Sequence, residues 1–135
     1  MADALASLAP AFEILEGRGD MAADLPLGVA DNVLQSGWVT GPELRPYPRD
    51  LELGAVRAEI TRNGEVEVDV LGRDVIDDQL ASIAWLANTL GPLGTGLRIG
   101  QRILSGSFSR PLSIARGDRW ETRFSGVGSV AVRFD

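Results

Sequence analysis

Residues 53–72, LGAVRAEITRNGEVEVDVLG, decide the fold class of this chain. Val56, Ala58 and Ile60 alternate with Arg57, Glu59 and Thr61 before Asn63-Gly64. Val66, Val68 and Val70 alternate with Glu65, Glu67 and Asp69 after it. Period-two alternation sends successive side chains to opposite faces of a strand. Asn-Gly accepts the two positive φ angles that a type I′ turn demands. The stretch predicts a β-hairpin with one apolar and one charged face, in a sheet half open to water.

The same reading extends in both directions. Residues 2–9 suit one or two helical turns before Pro10, and AFEIL (11–15) reads as a strand with Phe12 and Ile14 opposite Glu13. EGRGD (16–20) is a glycine-broken loop. Residues 28–36 fit a helical turn or two, and GWVTG (37–41) a short strand. Three prolines in 41–50 mark a loop or extended edge. Ile76, Leu80, Ile83, Ala87 and Leu90 keep helical spacing behind Asp74, Asp77 and Asp78, and Gly91-Pro92 ends the helix. Trp85 and Leu86 widen its apolar stripe, so a core role is expected for Trp85. RILSG (102–106), RWETRFSG (119–126) and SVAVRF (129–134) read as three further strands, with turns at Gly117-Asp118 and Gly126–Gly128. The sum is an α+β chain, mainly β with one main helix, and 135 residues suit one domain, 1–135.

Composition narrows the chemistry. The chain has no cysteine, histidine or lysine; its thirteen basic residues are all arginine, against nineteen Asp and Glu and a net charge of −6. Thiolate, imidazole and amine chemistry are therefore absent from these residues. Carboxylates remain, and they suit hard divalent cations. The acidic balance argues against a nucleic-acid partner. No apolar run approaches membrane-spanning length, and the acidic start Met1-Ala2-Asp3-Ala4 predicts no secretory leader, hence a cytoplasmic protein.

Three stretches carry candidate chemistry. Glu13, at a strand end beside a glycine loop, is either a water-facing residue or a metal ligand, with Glu16 and Arg18 paired together or supporting it. Asp31-Asn32 reads as a helix N-cap. In LSGSFSRPLSIARGD (104–118), Ser105, Gly106 and Ser107 offer unhindered backbone N–H groups and hydroxyls, and Arg110 a guanidinium for a carboxylate. That stretch is either a glycine turn or the floor of a small-anion site.

AFEILEGR, ADNVLQSGWVTG, ASIAWLANTLG, GQRILSGSFSRPLSIARGD and FSGVGSVAVRF occur in the order seen in 2-keto-4-pentenoate hydratases. The chain also resembles the 2-oxohepta-3-ene-dioate hydratases and 4-oxalocrotonate decarboxylases of the fumarylacetoacetate hydrolase-like superfamily, over their C-terminal half. The resemblance implies a mixed β-sandwich roll and a hydro-lyase or decarboxylase. Its substrates would be 2-hydroxydienoates or 2-keto acids of aromatic meta-cleavage pathways, with Mg2+ or Mn2+ as Lewis acid. It implies that Glu13 is the last of three glutamate metal ligands, projecting inward beside the serine–glycine turn. Arg18 then matches the arginine that follows that ligand, and Glu16, Arg18 and Asp31 support it. Ser105, Gly106, Ser107 and Arg110 would meet the small keto acid. The family's Glu-x-Glu pair and active-site lysine have no counterpart before Glu13. Leu34 stands where serine is usual, and RDVIDDQ lengthens the link before the helix. The expected partner is a second copy or a protein carrying the N-terminal half. The alternative is a non-catalytic domain that binds a small acid or another protein.

Overall fold

The computed structural model describes residues 1–19 and 24–135. Among the described residues, six strands and three α-helices follow one another: β1 (Ala11–Leu15), α1 (Leu25–Ala30), β2 (Gln35–Thr40), β3 (Arg57–Arg62), β4 (Glu65–Leu71), α2 (Gly72–Val75), α3 (Gln79–Leu90), β5 (Arg119–Phe124) and β6 (Gly128–Arg133). They form a two-stranded β1-β2 ribbon and a four-stranded sheet of order β4-β3-β5-β6. Every pairing among these strands is antiparallel.

The 53–72 hairpin forms as its pattern requires. Asn63 and Gly64 take φ of 53° and 91°. The turn is tied to the start of β5, because Asn63 N donates to the Arg119 carbonyl at 2.8 Å and Arg119 N to Asn63 Oδ1 at 2.9 Å. Register puts Ala58 and Ile60 of β3 beside Phe124 and Thr122 of β5, and Thr122 beside Val130 of β6. Ala58, Ile60, Trp120, Thr122 and Val130 are all buried, so this face holds the core, with Val56, Ile83 and Val127. The opposite face carries cross-strand and same-strand ion pairs. Arg57 meets Asp69, and Arg119 and Arg123 converge on Glu121 at 2.8 and 2.9 Å. A bulge between Ile60 and Thr61 shifts the β3–β4 register, and Val66 beyond it is exposed.

The ribbon joins the sheet at Gly41. A Cβ there would strike the Ser129 carbonyl of β6 and lie 2.8 Å from Pro10 Cγ, so only glycine allows this approach. Asp78 caps α3 by accepting from Ala81 N at 2.9 Å.

Several expectations change. RILSG (102–106) forms no ladder among the described residues; Gly106 sits at φ +120°, and residues 103–105 line an open groove with α3 instead. Ile76 is extended and precedes the helix, with its side chain against Gly106. Trp85 is 67% exposed rather than core, since α3 buries only the Gln79 and Ile83 edge. Residues 2–9 make a single 3₁₀ turn at Ala2–Ala4 and then extend, so that Leu8 bridges Leu44. Asp20, which closes the 16–20 loop, lies outside the described residues.

Candidate functional site

The ribbon presents Glu13. Its register partner is Trp38, and both side chains are exposed, Trp38 by 53%, while Phe12 and Ile14 turn to the half-buried side. The Glu13 side chain is exposed in this chain and makes no hydrogen bond or ion pair with the serine–glycine turn among the described residues. Alternation along β1 puts it on the open face once Phe12 and Ile14 take the other.

Around the open end of the ribbon the polar groups are ordered. Arg18 pairs with Asp31 at 3.2 Å, and its backbone N–H donates to the same carboxylate at 3.3 Å. The Asp31 side chain is only 6% exposed. Asp31 closes α1, and its carboxylate caps no helix N-terminus. Glu16 accepts from the Ser36 hydroxyl at 3.5 Å and does not pair with Arg18. Asn32, Val33 and Leu34 follow at φ of 53°, 52° and 69°, a left-handed run without glycine. Such a run at a β-branched residue is strained, and strain of this kind gathers at functional sites.

The second candidate region is the 102–110 segment. Arg102 holds its start to the far end of the ribbon, with Nη2 3.2 Å from Glu43 Oε1 and Nη1 3.4 Å from Thr40 Oγ1. The Ser7 hydroxyl, then Arg102 and Arg45, keep the Glu43 carboxyl below its ordinary range. Phe108 anchors the other end edge-on to Phe124, with ring centroids 5.0 Å apart. Between these anchors the Ser107 hydroxyl donates to the Ser109 carbonyl at 2.7 Å. That hydroxyl is engaged locally, while Arg110 is exposed and has no ion pair among the described residues. Ser105 lines an open groove of about 630 Å³ with Asp77, Asp78, Ser82, Trp85 and Leu104.

The fold therefore brings Arg18 to Asp31, and joins 102–110 to the ribbon through Arg102. No hydrogen bond or ion pair among the described residues joins Glu13 to Ser105, Ser107 or Arg110. The carboxylates do not make a cation site by themselves. A magnesium ion takes about six oxygen ligands, and no three acidic side chains gather suitably among the described residues. Sequence reasoning missed the Arg102–Glu43 tie, since nothing in the spacing of residues 59 apart announces a contact. It also missed the α3 groove, because Trp85 fits the apolar stripe it was assigned to.

No family model matches the chain. A 2-hydroxyhexa-2,4-dienoate hydratase of Comamonas testosteroni is 35% identical over 128 residues, 94% of this chain and 48% of its own length. A 2-oxo-hept-4-ene-1,7-dioate hydratase of Escherichia coli is 36% identical over 107 residues, covering 78% of this chain and 39% of the relative. This chain is a homologue of the hydratase and decarboxylase family. A 4-oxalocrotonate decarboxylase of Pseudomonas putida G7, solved with magnesium and adipate, superposes with a TM-score of 0.84 at 29% identity. It covers 96% of this chain and 49% of that one; its complex with calcium and acetate gives 0.83. The homology lies in the C-terminal half of these proteins, and the chain spans about half the length of the curated relatives it matches.

Proposed function

We propose that this chain forms part of the active site of a divalent-cation-dependent hydro-lyase or decarboxylase. Its substrates would be 2-hydroxydienoates or 2-keto acids from aromatic meta-cleavage, handled in the cytoplasm. The observation that carries the reading is homology running through nearly the whole chain, with the five motif blocks in order. In this reading residues 1–135 act as one domain of a mixed β-sandwich roll. Glu13 contributes one oxygen donor to a magnesium or manganese site, and Asp31 holds Arg18 beside it. Ser105, Gly106, Ser107 and Arg110 form a wall against the keto acid. The remaining donors and the amine come from outside residues 1–135, which hold no lysine and no Glu-x-Glu before Glu13.

The test is turnover of 2-hydroxypentadienoate with magnesium, followed as loss of dienol absorbance. The chain alone is expected to be inactive. Mixed with a separately expressed lysine- and Glu-x-Glu-bearing half of a relative, it is expected to turn substrate over, and Glu13→Gln abolishes that activity. Turnover by residues 1–135 alone overturns the need for donors from outside them. A second reading, a non-catalytic binder of small acids, is favoured by the exposed, unpaired Arg110. Keto-acid binding by the chain, weakened by Arg110→Ala, with an inactive mixture selects it over the first.

A further inference from the structure

Arg102 ends on the ribbon face that carries Glu13. Register partners in an antiparallel pair point to the same side, and so do residues two apart along a strand. Ala11 opposes Thr40 and Glu13 opposes Trp38, and the register runs without a shift from Ala11 to Ile14. Glu13, Trp38 and Thr40 therefore share one face, with Thr40 about 7 Å along the strand from Trp38. Arg102 Nη1 reaches Thr40 Oγ1 at 3.4 Å, and its Nη2 reaches Glu43 Oε1 at 3.2 Å. Arg45 steadies the same carboxylate, with Nη2 3.4 Å from Oε2. One planar guanidinium fork thus spans two acceptors three residues apart.

The contact falls where the backbone offers little else. Among the described residues, 103–107 form no strand or helix, and no backbone hydrogen bond ties them to another element. Side chains hold the ends instead, Arg102 on the ribbon and Phe108 against Phe124 of β5. Ser105 follows Arg102 by three residues, a chain reach of at most about 11 Å.

We propose that Arg102 is a positioning residue, which holds the 105–110 wall on the Glu13 face of the ribbon by bridging Thr40 and Glu43. The role rests on the reading in which Glu13 and that wall serve one site. Arg102 itself meets neither cation nor keto acid; it fixes how far, and on which side, the wall stands from the oxygen donor. The Arg102 and Glu43 side chains are 61% and 34% exposed, so the pair adds little to global stability. Its effect is local, on a segment that no ladder orders.

Backbone NMR relaxation of the pure chain tests the tie, with circular dichroism as the control for folding. Amides 103–107 are expected to be ordered in the parent, with order parameters of about 0.8, and to fall below about 0.6 in Arg102→Glu and in Glu43→Arg. Combining the two exchanges restores the order, and Arg102→Lys, which keeps the charge without the fork, recovers only part of it. Melting temperatures barely move. In the mixture with a relative's lysine- and Glu-x-Glu-bearing half, Arg102→Glu raises KM about tenfold at little-changed kcat, and the double exchange recovers it. Order unchanged by Arg102→Glu, or a double exchange as mobile as either single, overturns the proposal. So does a KM indifferent to Arg102 in an active mixture. Order restored in the double exchange beside an inactive parent mixture upholds the tie and counts against the catalytic reading alone.

Discussion

The molecule contains two left-handed turns begun by asparagine, and they are built differently. At Asn63-Gly64 the positive angles fall on residues that tolerate them, φ 53° and 91°. Hydrogen bonds to Arg119 and Asp118 then clamp the tip. At Asn32-Val33-Leu34 the same backbone region is imposed on a valine and a leucine, with no glycine to relieve it. That second turn is held from outside: Leu34 accepts from Glu16 N at 2.9 Å, and Asn32 Nδ2 donates to Gln35 at 2.8 Å. The first turn is a local choice that agrees with the sheet. The second is a local conflict overruled by its neighbours, and it lies beside Asp31 and the ribbon that carries Glu13.

The largest difference should come from the platforms under the two turns. Ile60 is 5% exposed beneath the hairpin, and Ile60→Ala is expected to remove about 2–5 kcal/mol of stability in urea denaturation. Leu34 is half-buried, and Leu34→Ala should lose less than half as much. Equal losses would mean that the ribbon region is as firmly built as the sheet.

Glycine exchanges should differ in sign. Gly64→Val puts a β-branched residue at φ 91° and is expected to destabilise by about 1–2 kcal/mol. Val33→Gly relieves a similar strain but adds about 0.5–1 kcal/mol of unfolded-state entropy, so it should be neutral or stabilising by up to about 1 kcal/mol. A Val33→Gly protein clearly weaker than the parent would show that Val33 is not strained.

Acid should act through the hairpin clamp. The backbone N–H of Ala115, then Arg62 and Asn63, hold the Asp118 carboxyl below its ordinary range. A depressed carboxylate adds stability above its unfolded pKa, near 4, and that stability is lost as pH falls through the lower folded value. Denaturation midpoints should therefore fall between pH 5 and pH 2, and Asp118→Asn should flatten that limb while lowering stability at pH 7. An unchanged acid limb in Asp118→Asn would remove Asp118 from the clamp. The smallest effect is expected at the other turn. Arg18 is 71% exposed, so Asp31→Asn should cost below about 1 kcal/mol in global stability.

Much of the sheet was legible. The alternation at 57–62 and 65–71, Asn63-Gly64, and the runs at 119–124 and 128–133 all became strands and turns, because local pattern and tertiary demand agree there. RILSG was not legible as coil. Its apolar residues satisfy a strand pattern, yet they line an open groove beside α3, and Gly106 at φ +120° breaks the extension. Trp85 misled for the converse reason: helical spacing names a stripe but not which edge of it is covered. For the site, the motif order identified the relatives. Pattern could show that Glu13 opposes Phe12 and Ile14, but not which face of the ribbon lies open.

From sequence alone came the antiparallel hairpin, the chemistry excluded by the missing lysine, histidine and cysteine, and the kinship with the hydratases and decarboxylases. These rest on side-chain type and short-range periodicity, which belong to the chain whatever its shape. Only the tertiary structure decided that Glu13 faces outward with Trp38, that Arg18 rests on Asp31, that Arg102 ties 102–110 to the ribbon, and that a groove opens beside Trp85. Those contacts join residues 13 to 62 positions apart, or turn on which surfaces meet, and such pairings arise only when the whole set of packed elements is in place.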